Sequence, residues 1–143
     1  MISERAKTVL VVEDNADDTF LLRDAAERVP GAVAFYFVAE GHQALQYLKG
    51  EGRFADRQAF PMPELVLLDL WLPDMDGLEI LSWIRSRPEL KQLKVFVWTD
   101  SSAEQELTRA TKAGADRFIP KSVAFVRGGL RNLIGSLAQA IPG

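Results

Sequence analysis

Short apolar runs alternate along this chain with longer segments whose apolar residues recur at helical spacing. Thr8-Val9-Leu10-Val11-Val12 is apolar and β-branched, the pattern of a strand buried on both faces, and charge ends it at Glu13. Residues 16–28 place Leu21, Leu22, Ala25 and Ala26 on a helix, with Asn15 as N-cap and Pro30-Gly31 as the stop. Val33 to Val38 reads as a second strand, and Ala44, Leu45 and Leu48 mark a second helix ended by Gly50 and Gly52. Leu65 to Asp69 is the third strand, and a helix from about Gly77 to Arg85 packs Leu78, Leu81 and Ile84 before Pro88 bounds it. Leu93 to Trp98 is the fourth strand. Ser102 and Gln105 form a capping box opening a helix whose Leu107 and Ala110 face inward and whose end is Gly114. Asp116 to Ile119 is a short fifth strand. The last helix, about Val123 to Ala140, buries Val126, Leu130, Ile134 and Leu137 in one stripe, although Gly128 and Gly129 each cost about 1 kcal/mol of helix propensity.

Strand-then-helix units in this succession imply an α/β protein with a parallel, doubly wound sheet and right-handed crossovers. The one long connection, about Lys49 to Pro63, reads as an insertion, either functional or mobile. A length of 143 residues suits a single domain, residues 1–143, with its core at about 7–140.

A net charge of -3 and a pI of about 5.2 argue against nucleic acid or an anionic membrane surface as partner, since both select a basic face. Residues 121–143 carry Lys121, Arg127 and Arg131 without an acid, which suits a solvated helix face. Without cysteine the chain has no disulfide, thiolate metal site or cysteine nucleophile, and the expectation is a cytoplasmic protein. The apolar run after Met1-Ile2-Ser3-Glu4-Arg5 is too short for a signal peptide or a membrane span.

Chemistry collects where the strands end. Glu13 and Asp14 follow the first strand, Asp69 closes the third, Thr99 follows the fourth and Lys121 the fifth. In a parallel sheet these carboxyl ends share one edge, where open α/β folds bind ligands. A carboxylate can accept a phosphoryl group if a divalent cation and a positioned ammonium neutralise the transferred oxygens. Asp14 and Asp69 offer Mg²⁺ hard oxygens, with Glu13 acting through water. Lys121 would pair with the carboxylate and then with a phosphate oxygen, and Thr99 would donate a hydroxyl hydrogen bond. Taken singly, Glu13 and Asp14 read equally well as turn or cap residues, Thr99 as a strand residue, Lys121 as a surface charge and Phe118 as core. Asp69, after four apolar residues, is poorly placed as a solvated charge.

The sequence resembles the receiver domain of two-component response regulators in Val11-Val12-Glu13-Asp14-Asn15, in Leu67-Leu68-Asp69-Leu70-Trp71-Leu72-Pro73-Asp74-Met75-Asp76-Gly77, in Val97-Trp98-Thr99 and in Ile119-Pro120-Lys121. The resemblance implies a flavodoxin-like (βα)5 fold, strand order 2-1-3-4-5. It also implies Asp69 as phosphoacceptor, Asp14, Asp69 and the Trp71 carbonyl as ligands of Mg²⁺, and Phe118 as an aromatic switch residue. Pro73 and Gly77 look like the family's loop residues. The insertion before the third strand looks most like single-domain regulators paired with phytochrome-type histidine kinases. Such a protein is a phosphoacceptor assisting its own phosphotransfer and dephosphorylation, not an enzyme with a separate substrate, and its output passes to a downstream protein. Val123, Leu133 and Ile141 broaden the last helix's apolar surface, which points to a homodimer.

Two positions depart from the family. Ser122 stands where a proline with a cis bond usually follows the lysine, and Asp100 where a small residue usually follows the threonine. They motivate a rival reading as a phosphorylation-independent interaction scaffold. An aspartyl-phosphate phosphatase of the haloacid dehalogenase type would need an acid at position 71, which is Trp71. A flavin site would set Glu13, Asp14, Asp17 and Asp18 against phosphate. His42, the only histidine, is expected at the surface, and Trp83 and Trp98 in the core or on a partner face.

Overall fold

Alternation within the strands divides the core in two. In the computed structural model, which describes residues 7–29, 31, 33–100 and 104–142, β1 (Lys7–Val12), β2 (Val33–Val38), β3 (Leu65–Leu68), β4 (Lys94–Thr99) and β5 (Arg117–Pro120) form one parallel sheet. Its order is β2-β1-β3-β4-β5. Leu10, Val12, Val66, Leu68, Val95 and Val97 face α2 (Gly41–Lys49), α3 (Gly77–Ser86) and α4 (Glu104–Ala113), where Ala44, Leu48, Ile80, Leu81, Ile84 and Ala110 are buried. Val9, Val11, Leu65, Leu67, Phe96 and Trp98 face the other way, against Leu22 of α1 (Ala16–Glu27) and Leu133, Ile134 and Leu137 of α6 (Gly129–Ala140). Each fully buried Leu, Ile or Val contributes roughly 1.5–3 kcal/mol, so the two layers commit the chain to this sheet.

The predicted elements recur with ends shifted by a residue or two, and three expectations need correction. The last helix is broken: a single turn, α5 (Lys121–Ala124), is followed by an irregular segment before α6. Gly128 sits at φ +78, the left-handed region, and a Cβ on Gly129 would meet the Val123 and Ala124 carbonyl oxygens at 2.5 Å. The glycine pair therefore redirects the chain, and Val126, expected in the buried stripe, is 60% exposed. Leu133 and Ile141, expected to widen the free apolar surface, are buried, whereas Val123 is exposed. Leu107 is likewise exposed, because α4 covers the β4–β5 end of the sheet and buries only Ala110.

The long connection is neither structureless nor loose. A 3-10 turn at Gly52–Ala55 buries Phe54, whose ring lies 5.0 Å from Tyr47 and 5.1 Å from Phe60. Arg57 turns back to donate to the Tyr47, Leu48 and Phe60 carbonyl oxygens at 2.8, 3.1 and 3.3 Å, satisfying the C-terminal end of α2. The predicted stop at Pro30 and the Ser102 half of the capping box lie outside the described residues. Among the described residues no helix is long and apolar enough to cross a membrane.

Candidate functional site

The carboxyl ends of β1, β3, β4 and β5 bring Glu13, Asp69, Thr99 and Lys121 to one edge, as the spacing predicts, with Asp14 beside them. Glu13, Asp69, Thr99 and Lys121 are buried and Asp14 is exposed. One oxygen from each of Glu13, Asp14 and Asp69 lies within 4.8 Å of the others. Three hard oxygens so close, one open to solvent, suit a small divalent cation.

Local structure aims each group. Asn15 caps α1 by accepting from the Asp17 and Asp18 amides, and its own amide donates to Glu13 Oε2 at 3.0 Å. Asp69 Oδ1 accepts from the Trp71 amide at 3.0 Å. Behind the acceptor, Gly77 begins α3 so close that a Cβ there would lie 2.5 Å from the Asp69 carbonyl oxygen and 2.7 Å from Leu70 Cα. Any side chain at position 77 would force the start of α3 and the Asp69–Leu70 backbone apart.

Lys121 is the counter-charge. Its side chain is 2% exposed, and Nζ lies 2.6 Å from Glu13 Oε1, 2.6 Å from Asp18 Oδ2 and 3.1 Å from Asp69 Oδ2. Burial pulls the ammonium down, yet hydrogen bonds to Asp18 and Glu13 and the charge of Asp69 hold it above the ordinary lysine value. Burial pushes the Glu13 carboxyl up to about 7, against the lowering pull of Lys121 and with the raising charge of Asp69. These shifts bear on one contact from opposite sides. An ammonium shared by three carboxylates stays charged at neutral pH.

The Thr99 hydroxyl is fully buried and, among the described residues, has no hydrogen-bond partner. An unpaired buried hydroxyl costs about 1–3 kcal/mol, so a donor stands idle at the site edge. Phe118 is half-buried against the α2–α4 side of the core, paired in register with Val97. Trp71 is 61% exposed and lines a surface cavity of about 440 Å³ with Leu70, Met75 and Arg109. His42 is exposed as expected, but it is engaged: Asp74, in the loop after Asp69, accepts from its amide at 2.9 Å and contacts its Nδ1 at 2.5 Å. Asp100 is exposed, and no peptide bond among the described residues is cis.

Asp18 is the site residue that spacing did not single out. Acids in a helix's first turn are favoured by its dipole anyway, so nothing in the sequence separates Asp18 from Asp17.

The chain belongs to the response regulator receiver domain family, which its sequence matches over residues 9–129. Response regulator Rcp1 of Synechocystis sp. is 30% identical over 120 residues, 84% of this chain and 80% of that protein. A crystal structure of the phosphorylated cyanobacterial phytochrome response regulator RcpA matches with a TM-score of 0.81 at 32% identity, covering 92% of this chain and 91% of that one. The Mn²⁺-bound form of Rcp1 matches at 0.80 and 26% identity, over 96% and 99%.

Proposed function

We propose that this chain is a receiver that accepts a phosphoryl group on Asp69 with Mg²⁺, from a phosphohistidine of a phytochrome-type sensor histidine kinase, and acts through protein contacts. The observation that carries the reading is the juxtaposition of three carboxylates within 4.8 Å with a buried ammonium 3.1 Å from the central one. Asp14 and Asp69, the Trp71 carbonyl and, through water, Glu13 would hold Mg²⁺, which supplies neutralisation of the acids and of the transferred oxygens.

In the transfer, an Asp69 carboxylate oxygen bonds to phosphorus as the bond from phosphorus to the donor's imidazole nitrogen breaks, and the electron pair stays on the imidazole. Lys121 pairs with a phosphoryl oxygen, and Thr99 turns its unpaired hydroxyl to another. Phe118, on the strand beside Thr99, follows inward and alters the surface of α4, β5 and α5. The acyl phosphate is the signal, and its hydrolysis at the same site ends it. This is a cytoplasmic role. Exposed Val123 and Val126 support a homodimer on the α5 side.

Incubation with acetyl phosphate and Mg²⁺, read by phosphate-affinity gel mobility, tests the assignment. A slower band that disappears in excess chelator and in Asp69→Asn is expected. Modification that persists in both overturns it.

A further inference from the structure

At the start of α1, Asn15 is the N-cap and Asp18 the third helical residue. In a capping box the side chain at that place reaches back to the N-cap's amide. Here the Asn15 amide is taken by Glu13 Oε2 at 3.0 Å. The Asp18 carboxylate, 13% exposed on its side chain, turns the other way and accepts from Lys121 Nζ at 2.6 Å, across 103 positions of sequence.

That contact is shorter than the 3.1 Å from the same ammonium to Asp69. Lys121 opens a single helical turn, and residue 122 is serine on a trans peptide, so its local backbone does little to aim so long a side chain. Both ends of the Asp18 contact are anchored: the Asp18 amide is bound by Asn15 Oδ1 at 3.1 Å, and the lysine stem is buried. When Asp69 becomes an acyl phosphate its own negative charge is lost from the carboxylate, and the lysine must meet phosphoryl oxygens instead. Asp18 does not react, so its hold on Nζ persists through that change.

We propose that Asp18 is a positioning residue for phosphotransfer, holding the Lys121 ammonium at the acceptor by a lateral ion pair from the first turn of α1. The proposal rests on the phosphoacceptor reading of Asp69. It assigns Asp18 no contact with the phosphoryl group or the metal. Asp17, one residue away and exposed, has no such part.

The test measures acetyl phosphate labelling rates for wild type, Asp18→Asn, Asp18→Glu and Asp17→Asn, and repeats Asp18→Asn in a Lys121→Ala background. Expected are about a tenfold slowing in Asp18→Asn, equivalent to about 1.4 kcal/mol of barrier, substantial recovery in Asp18→Glu and no change in Asp17→Asn. In the Lys121→Ala background, Asp18→Asn should alter the residual rate less than about twofold, because contacting residues are non-additive. Equal slowing in both backgrounds would mean a structural role and overturns the proposal, as does an unslowed Asp18→Asn. If wild type itself takes no label, the phosphoacceptor reading fails and this inference falls with it. If wild type is labelled and Asp18→Asn matches it, the inference alone fails.

Discussion

Lys121 Nζ stands 3.1 Å from Asp69 Oδ2 with its side chain only 2% exposed, so the ammonium has exchanged its water for carboxylates. Removing one partner of a buried pair costs more than the pair contributes, because the other charges are left unmatched. Lys121→Met should therefore lower unfolding stability by about 3–5 kcal/mol at neutral pH. Mg²⁺ should return part of the loss, since a ligand at a hundred times its dissociation constant adds about 2.7 kcal/mol. Urea titrations with and without Mg²⁺ measure both, and an unchanged midpoint in metal-free buffer would refute the shared-charge account.

Trp71 is the natural reporter of metal entry. Its amide donates to Asp69 Oδ1, the residue is 61% exposed, and Trp98 is fully buried. Mg²⁺ should change the emission, and Trp71→Phe should remove most of that change. Asp14→Ala should weaken the titrated affinity by at least about tenfold, the low end of what losing even an outer-shell partner costs. A full response in Trp71→Phe would place the reporter elsewhere.

What was readable in the sequence follows from burial. The buried stretch of a strand covered on both faces is apolar, so the polar groups Glu13, Asp69, Thr99 and Lys121 stand at or just past the strand ends, and strand order then brought them together. Asp18 was hidden, since its partner Lys121 lies 103 positions away in sequence, a contact no periodicity reports. The break before α6 was hidden because Gly128 and Gly129 weigh as a small propensity cost unless one knows that Gly128 adopts positive φ. The connection after α2 reads by length alone as either functional or mobile; Phe54 and Arg57 bind it through contacts spread over several residues, which length does not report.

That connection should behave as part of the core. Phe54→Ala removes a buried ring and should cost about 3–5 kcal/mol. Arg57→Ala should cost about 1.5–3 kcal/mol through charged hydrogen bonds to carbonyls. Hydrogen exchange over residues 51–62 should accelerate in both, and an already unprotected wild-type segment would contradict the packing.

Association should run through the face where the chain breaks before α6. Val123 and Val126 are 58% and 60% exposed, with Phe125 beside them at 36%. Light scattering should show a concentration-dependent dimer, and Val126→Glu should shift it to monomer by placing a charge in the contact. A wild type that stays monomeric at high concentration, phosphorylated or not, would remove the dimer.

Asp74 ties the loop after Asp69 to the start of α2, accepting from the Gly41 amide at 2.8 Å and the His42 amide at 2.9 Å. Burial raises its carboxyl, but these amides and the His42 ring outweigh that and hold it down at about 2, against an ordinary 3.8. A depressed carboxylate stabilises the fold above its unfolded value, and that contribution is lost as pH falls from about 4 through 2. Asp74→Asn keeps one accepting oxygen and removes the charge. It should cost about 1 kcal/mol at pH 6, within the range of a lost helix cap. The gap between the two proteins should then close between pH 4 and 2, where wild type gives up the same charge. Other carboxylates titrate there too, so the difference in urea midpoints at each pH is the quantity to follow. A gap that stays constant or widens in acid would show that Asp74 is not held as an anion by the α2 amides.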